Sequence, residues 1–187
     1  MKPAILHTIA SALSKDEIRG KDVLEVGSKN VNGSVRPIVM NLKPNSYIGV
    51  DIVHGPDVDK ICDIQDLITE FGIESFDAVF CTEVLEHIEN WVGGIHNLKG
   101  VLKPGGILIV STPSKGFHYH SYPSDFWRYE VMDMQIIFSD MEIVSIFTVH
   151  KGVIVRACKP KEFKEIGLDE YKLYSMQTNK AETCGLK

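Results

Sequence analysis

Four short apolar runs, separated by stretches of another character, constrain the fold of this chain most. They read DVLEVG (22–27), YIGVDI (47–52), FDAVFCT (76–82) and GILIVSTP (106–113). The segments between them include helical patterns such as NWVGGIHNLKGVL (90–102). Strands that alternate with helices predict an α/β domain with a mainly parallel sheet, and the final runs EIVSIFTVH and GVIVRACKP predict a closing β-hairpin.

The length of 187 residues suits one domain with a substantial core. We predict a single domain over residues 1–159, which opens with an N-terminal helix within residues 1–20. The remaining tail, residues 160–187, is polar and shows no strong period. Its segment LDEYKLYSM favours a docked helix or partial disorder.

Composition and charge exclude several classes of protein. The apolar runs are far shorter than the roughly 20 residues of a membrane span. The N-terminus lacks the features of a secretory signal, so a soluble, cytoplasmic protein is expected. The net charge of −5 disfavours nucleic acid as a partner. Four cysteines without a C-x-x-C pair predict neither a disulfide framework nor a metal site. The sequence leaves the oligomeric state open.

Acidic residues and a glycine mark the ends of the first three predicted strands. Glu25 and Gly27 end the first, Asp51 ends the second, and Asp63 follows the third. Ligands of such sheets bind at the carboxyl edge, where an acid often accepts hydrogen bonds from ribose, so a nucleoside ligand is expected. The loop GSKNVNG lacks the G-x-G-x-x-G spacing, which disfavours a nicotinamide-dependent oxidoreductase. The structural alternative is that each acid only caps a strand end.

The same segments carry a resemblance to a known family. VLEVGSKNVNG, YIGVDI, CDIQDL, FDAVFCTEVLEHI and VLKPGGILIVSTP follow the motif order of class I S-adenosylmethionine-dependent methyltransferases. The resemblance covers roughly residues 21–158. It implies a Rossmann-like sheet of seven mostly parallel strands in the order 3-2-1-4-5-7-6, with strand 7 antiparallel and helices on both faces. It also implies S-adenosyl-L-methionine as the cofactor.

The resemblance further implies which residues hold that cofactor. By this resemblance Glu25 and Gly27 lie at its methionine part, Asp51 at the ribose hydroxyls, and Asp63 with Ile64 at the adenine. An acidic pocket suits a ligand that carries a sulfonium and an ammonium group. One departure is that GSKNVNG lacks the middle glycine of the family's usual G-x-G-x-G loop. The complete implied set is Glu25, Gly27, Ser28, Asp51, Ile52, Asp63, Ile64, Thr82 and Glu83.

The segment HYHSYPSDFWRY (118–129) follows the predicted fifth strand, at the edge where a methyl acceptor must approach. It also resembles the H-x-x-P-x-D-[FY]-W-R segment of a subgroup of small methyltransferases. A hydroxyl acceptor must lose its proton, and either His120 or His118 suits that task. Asp125 would orient the base or act as the base itself. The catalytic candidates are His120, Asp125, His118, Arg128 and His87.

Each of these residues also has a structural alternative. Asp125 pairs with Arg128 in that interpretation, Trp127 fills a gap over the sheet, and Pro123 shapes the loop. His87, in EVLEHI, is suited equally to packing against the cofactor and to proton transfer. The aromatic residues of the segment are expected to form a lid or a stacking wall for a sugar or planar acceptor. They are Tyr119, Tyr122, Trp127 and Tyr129.

Together these patterns predict an S-adenosylmethionine-dependent methyltransferase that acts on a hydroxyl group of a small molecule or carbohydrate. Two alternatives stay open. One is a methyltransferase-like binding subunit without turnover, which the departure in GSKNVNG favours. The other is a methyltransferase that acts on protein or RNA.

Overall fold

The computed structural model describes residues 3–120 and 123–184, in which helices and strands alternate. The helices are α1 (Pro3–Ala12), α2 (Lys15–Ile18), α3 (Arg36–Asn41), α4 (Leu67–Phe71), α5 (Trp91–Val101) and α6 (Val131–Ile137). The strands are β1 (Asp22–Val26), β2 (Ser46–Asp51), β3 (Lys60–Ile61), β4 (Phe76–Thr82), β5 (Leu102–Pro113), β6 (Trp127–Arg128), β7 (Glu142–Thr148), β8 (Gly152–Cys158), β9 (Lys172–Ser175) and β10 (Ala181–Thr183). Short 3₁₀ turns lie at Ile64–Asp66 and Leu85–His87.

Seven strands form the main sheet in the order β3-β2-β1-β4-β5-β8-β7. Because β6 lies outside this sheet, β7 and β8 are its sixth and seventh strands. The order is therefore the predicted 3-2-1-4-5-7-6. Strands β1 to β5 pair in parallel, whereas β8 is antiparallel to both β5 and β7. The predicted fold class and the antiparallel seventh strand are confirmed.

The central strand β1 shows why the apolar runs are nearly continuous. Leu24 belongs to the core shared with α4, α5 and α6, whereas Val23 belongs to the core shared with α1, α2 and α3. A strand that is covered on both faces needs apolar residues at successive positions. Val26 pairs with Val50 of β2 and with Cys81 of β4. This register brings the carboxyl ends of the three strands to one edge of the sheet.

The N-terminal region forms two helices, where the sequence predicted one helix within residues 1–20. Helix α1 ends at Ala12, and α2 begins at Lys15. Between them the backbone N–H of Ser14 donates to a carboxylate oxygen of Glu17 at 2.9 Å. This contact is the return half of a capping box, so it starts a new helix at Ser14.

The tail forms a β-hairpin, and the helix predicted around LDEYKLYSM was wrong. Strand β9 pairs with β10 on one side and with β6 on the other, which gives a second, three-stranded sheet. Leu173 and Ser175 are buried while Lys172 is exposed, a period of two that suits a strand. The pairing of β9 with β6 favours a strand over a helix in this segment, because a short isolated helix is only marginally stable in water. The limits of the domain stay a prediction.

Within the described ranges, no helix is long and apolar enough to cross a membrane.

Candidate active site

The loop after β1 turns sharply at Gly27. The backbone N–H groups of Gly27 and Ser28 both donate to the Val50 carbonyl, at 2.8 and 2.9 Å. Gly27 has a φ of 74°, which lies in the left-handed region that favours glycine. A Cβ at this position would lie 2.1 Å from Cγ2 of Val84. The loop after β1 therefore lies directly against the segment that follows β4.

Glu25 lies in β1 just before this loop and is 1% exposed. The Tyr47 hydroxyl of β2 donates to Glu25 Oε2 at 2.7 Å. Burial raises the pKa of Glu25 to about 7, even though the Tyr47 hydrogen bond and the Arg36 charge lower it. Because a nearby cation favours the ionised carboxylate, an ammonium group bound beside Glu25 would be stabilised.

Asp51 ends β2 with its carboxylate facing the loop after β1. Its oxygens accept hydrogen bonds from the backbone N–H groups of Lys29 at 3.1 Å and Val53 at 3.2 Å. These two donors fix the carboxylate and leave it capacity for further bonds, as two ribose hydroxyls would require. The next residue, Ile52, is 51% exposed and offers an apolar surface beside Asp51.

Asp63 and Ile64 lie where the chain leaves β3. Oδ1 of Asp63 accepts the backbone N–H of Gln65 at 2.9 Å and so caps the 3₁₀ turn at Ile64–Asp66. Ile64 is buried. Asp63 is exposed and caps a turn rather than the strand end that the structural alternative names. The contact of this pair with adenine stays a prediction.

Ser28 and Thr82 are buried, and neither hydroxyl oxygen has a hydrogen-bond partner among the described residues. Unpartnered buried hydroxyls are uncommon in folded proteins. Glu83, the residue after Thr82, has a φ of 57°, and its carboxylate accepts a hydrogen bond from Ser111 Oγ at 2.9 Å. The two hydroxyls and the Asp51 and Glu25 carboxylates fit the hydroxyl and ammonium groups of the expected cofactor.

Asp125 and Arg128 form a fully buried ion pair. Nη1 of Arg128 donates to Asp125 Oδ1 at 2.5 Å and Nη2 donates to Oδ2 at 2.7 Å. Arg128 also donates to the backbone carbonyls of residues 117, 118 and 127. Although burial raises the pKa of Asp125, the hydrogen bonds from Arg128 lower it. We call this arrangement the Arg128 clamp, because the guanidinium holds the segment before β6 through residues 117, 118 and 125 and holds β6 itself through residue 127.

The aromatic residues of the segment do not share one surface. Trp127 and Tyr129 are buried, and each donates a hydrogen bond to a backbone carbonyl of the segment after β4. The burial of Trp127 agrees with its structural alternative, in which the ring fills a gap over the sheet. The prediction that Tyr129 forms part of a lid or stacking wall was wrong, because its ring belongs to the core. Tyr119 is 51% exposed. Tyr122 lies outside the described residues.

Three titratable side chains, Glu86, His87 and His120, converge beside the clamp. Nε2 of His87 and Nε2 of His120 lie 3.6 and 3.7 Å from Oε1 of the fully buried Glu86. Nδ1 of His87 contacts the Ser124 carbonyl at 2.5 Å, and Nδ1 of His120 lies 3.1 Å from Asp125 Oδ2. The Glu86 carboxylate raises the pKa of His120, while burial lowers it. We call Glu86, His87 and His120 the His–Glu cluster.

Sequence reasoning selected both histidines of the cluster but missed Glu86. The available signal was its position next to His87 in EVLEHI. His118 lies outside the cluster, with an exposed side chain whose ring stacks on Phe117 at a centroid distance of 4.6 Å. The structure thus brings His87, His120, Asp125 and Arg128 together. The catalytic roles stay predictions.

A family model described as a methyltransferase domain matches residues 1–149 of the chain. The chain belongs to this methyltransferase family. The ubiquinone biosynthesis O-methyltransferase of Mus musculus is 29% identical over 128 residues, which cover 59% of this chain and 34% of that protein. The Rickettsia felis enzyme of the same name is 43% identical over 54 residues, 28% of this chain and 22% of that protein. The chain therefore spans about a third or less of these two relatives.

A solved structure with the same fold is the 1,6-didemethyltoxoflavin-N1-methyltransferase of Burkholderia thailandensis with bound S-adenosylhomocysteine. It superposes with a TM-score of 0.65 at 14% identity and covers 84% of this chain and 79% of that chain. At this identity the likeness shows the fold alone. The family match shows a methyltransferase domain, and the superposition agrees with its fold. Membership of the subgroup with the H-x-x-P-x-D-[FY]-W-R segment stays a prediction.

Proposed function

We propose that this methyltransferase domain transfers a methyl group from S-adenosylmethionine to a hydroxyl oxygen of a small molecule. The observation that carries the proposal is the position of the His–Glu cluster. Its members Glu86 and His87 follow Val84, and the side chain of Val84 lies against Gly27 of the cofactor loop. An acceptor held at the cluster would therefore stand next to the cofactor.

The chemistry of the cluster fits a hydroxyl acceptor. The acceptor oxygen forms a bond to the methyl carbon, the carbon–sulfur bond breaks, and its electron pair stays on sulfur. The hydroxyl proton must also leave, and the Nε2 atoms of His87 and His120, which lie 3.6 and 3.7 Å from Glu86, support proton removal at the cluster. Asp125 is held ionised by the Arg128 clamp and positions His120. Bound S-adenosylmethionine supplies the electrophilic methyl group.

Two further considerations support a small hydroxyl acceptor. The curated relatives reported above are named O-methyltransferases of ubiquinone biosynthesis, and a small-molecule hydroxyl is the corresponding acceptor class. The open side of the cluster is lined by His120, whose side chain is 32% exposed. A carbohydrate hydroxyl lies within the proposal. The cytoplasmic location and the exclusion of nucleic-acid partners stay predictions.

The first experiment is calorimetric titration of the purified protein with S-adenosylhomocysteine, with NAD titrated alongside. We expect micromolar binding of S-adenosylhomocysteine and none of NAD. Binding of NAD alone, or of neither, would refute the proposal. After binding is shown, a panel of phenols, sugars and amines would be screened for methyl transfer, and turnover of amines alone would exclude the hydroxyl assignment.

A matched pair of histidine variants tests the role of the cluster. His120→Ala should lower turnover by about 10²-fold or more, as loss of a group that handles the proton does. It should leave S-adenosylhomocysteine affinity unchanged. His96→Ala is the control, because His96 is exposed and pairs with Glu165 at 2.7 Å outside the cluster. Equal turnover in both variants would remove His120 from the reaction.

A further inference from the structure

The carboxylate of Glu86 is the least satisfied charged group at the site. Its side chain is completely buried, and neither oxygen has a hydrogen-bond partner within residues 3–120 and 123–184. A buried carboxylate without hydrogen bonds or a close counter-charge is strongly unfavourable. The histidine nitrogens at 3.6 and 3.7 Å are too far away to be hydrogen-bonded to it. A ligand bound between the Glu86 carboxylate and the two imidazole nitrogens would stabilise the carboxylate better than the histidines do.

Both histidines present the same nitrogen to Glu86. The Nδ1 atom of His87 is engaged by the Ser124 carbonyl, which can only accept, so the proton of a neutral ring lies on Nδ1. The Nδ1 atom of His120 faces the Asp125 carboxylate, which the Arg128 clamp holds in place. Nε2 of His87 is therefore the nitrogen left to act as a ligand, and Nε2 of His120 is the nitrogen that lies 3.7 Å from Oε1 of Glu86. An outer carbonyl or carboxylate on the second nitrogen is the usual support of a metal-binding histidine.

The three ligand atoms have the spacing of a metal site. A ring nitrogen of each histidine and an oxygen of Glu86 all lie within 4.8 Å of one another. Ligands at Zn–N or Zn–O distances in a tetrahedral site lie about 3.4 Å apart. The separations of 3.6 and 3.7 Å therefore need only small adjustments to close around an ion. Two imidazoles and one carboxylate form the facial set that divalent transition metals accept with positions left open.

We propose that Glu86, His87 and His120 bind a divalent transition-metal ion such as Zn²⁺ or Mn²⁺. Its role rests on the proposed function, since an open coordination position would hold the acceptor hydroxyl. The ion would lower the pKa of that hydroxyl and so favour release of the proton to solvent water. The resulting oxyanion forms the bond to the methyl carbon as the carbon–sulfur bond breaks. In this form of the reaction both histidines are ligands and neither is the base.

The test measures metal binding directly, without turnover. Protein freed of metal by a chelator is titrated with Zn²⁺ in a calorimeter, and with Co²⁺ while its visible absorption is recorded. We expect one ion per chain and coordination bands from Co²⁺. His87→Ala, His120→Ala and Glu86→Gln should each weaken Zn²⁺ binding by about 100-fold. Mg²⁺, which prefers oxygen ligands, should bind far more weakly.

The control is His96→Ala, which removes an exposed histidine outside the cluster and should leave Zn²⁺ affinity unchanged. The proposal fails if the wild-type chain binds no stoichiometric Zn²⁺, if the three ligand variants bind it as the wild type does, or if Mg²⁺ binds equally well. Should Glu86→Gln fail to fold, His120→Ala decides the matter, because His120 is partly exposed. S-adenosylhomocysteine titrated into the same samples separates the two ideas. If the protein binds S-adenosylhomocysteine but does not bind Zn²⁺, the proposed function stands and the metal proposal fails.

Discussion

The proposed cofactor side and the proposed acceptor side of the sheet edge differ in how their acids are held. The cofactor side comprises the loops after β1, β2 and β3. There Asp51 and Asp63 accept hydrogen bonds from backbone N–H groups. The acceptor side comprises the segments after β4 and β5. There Asp125 is held by a buried arginine side chain, and Glu86 faces two histidines. The first arrangement is mainly local in sequence, whereas the second is assembled from separate segments.

This difference has an energetic consequence. Asp63 is exposed and Asp51 is partly exposed, so water solvates part of the charge of each carboxylate. Asp125, Arg128 and Glu86 are all 0% exposed, and each depends on protein groups. Exposed charges tolerate the loss of a partner, while buried ones do not. The acceptor side should therefore be the more fragile of the two.

The largest expected effect comes from opening the Arg128 clamp. Arg128→Met leaves the Asp125 carboxylate buried without its partner, and loss of one member of a buried pair costs about 3–5 kcal/mol. The free energy of unfolding, measured by urea denaturation, should fall by that amount. The double variant with Asp125→Asn should recover part of it, because no charge is then stranded. A double variant less stable than Arg128→Met would contradict the clamp as described.

An exposed pair provides the control for the clamp. Lys60 forms an ion pair with Glu70, with side chains 45% and 37% exposed. Lys60→Met should change the free energy of unfolding by about 1 kcal/mol or less. Equal losses in the two methionine variants would remove the contrast between buried and exposed charges.

Glu25 is the exception on the cofactor side, because it is buried there. Its pKa is raised from an ordinary value of 4.5 to about 7 by burial. Between these values the folded chain keeps a proton that the unfolded chain has lost. The contribution of Glu25 to stability is therefore complete below pH 4.5 and is lost as the pH rises through about 7. The shift corresponds to about 3 kcal/mol.

A comparison of the wild type with Glu25→Gln isolates this contribution. Gln keeps an oxygen for the Tyr47 hydroxyl but does not titrate. The stability of the wild type relative to the variant should fall by about 3 kcal/mol from pH 4.5 to pH 7 in the absence of cofactor. A constant difference across this range of pH would show that Glu25 is ionised normally.

The sequence predicted most of the fold, and the position of the residues at the strand ends, for a physical reason. Parallel strands covered on both faces give recognisable apolar runs, and the residue that ends each run lies at the carboxyl edge by geometry. Glu25, Gly27 and Asp51 were therefore found where their strands end. Their arrangement follows from the register of β1 and β2.

The remaining features depend on contacts between distant segments. The tail becomes a hairpin because β9 pairs with β6, more than 40 residues away. Glu86 gains its importance only when His120 is folded beside it. Trp127 suited either a lid or the core, and only the folded chain shows that it lies in the core. None of these contacts leaves a period or a spacing in the sequence.

A smaller effect is expected from Asp51, which tests the cofactor side. Asp51→Ala should weaken S-adenosylhomocysteine binding by about 1–3 kcal/mol, through loss of charge-assisted hydrogen bonds to the ribose. Asp51→Asn should weaken it less, because the amide oxygen still accepts. Calorimetric titration gives both values, with Glu70→Ala as an exposed acid outside the site. Unchanged affinity in a folded Asp51→Ala variant would remove Asp51 from the cofactor side.

The smallest effect concerns one contact between the tail hairpin and the acceptor side. Gln177 Nε2 donates to the Asp125 backbone carbonyl at 2.8 Å and so ties the hairpin to the clamp. Gln177→Ala should cost about 1 kcal/mol of stability and raise the KM for the acceptor, while S-adenosylhomocysteine affinity stays unchanged. Thr178→Ala, at an exposed neighbour, should change neither value. If Gln177→Ala weakened cofactor and acceptor binding equally, the two sides would respond as one unit, and the distinction between a local and an assembled site would not hold.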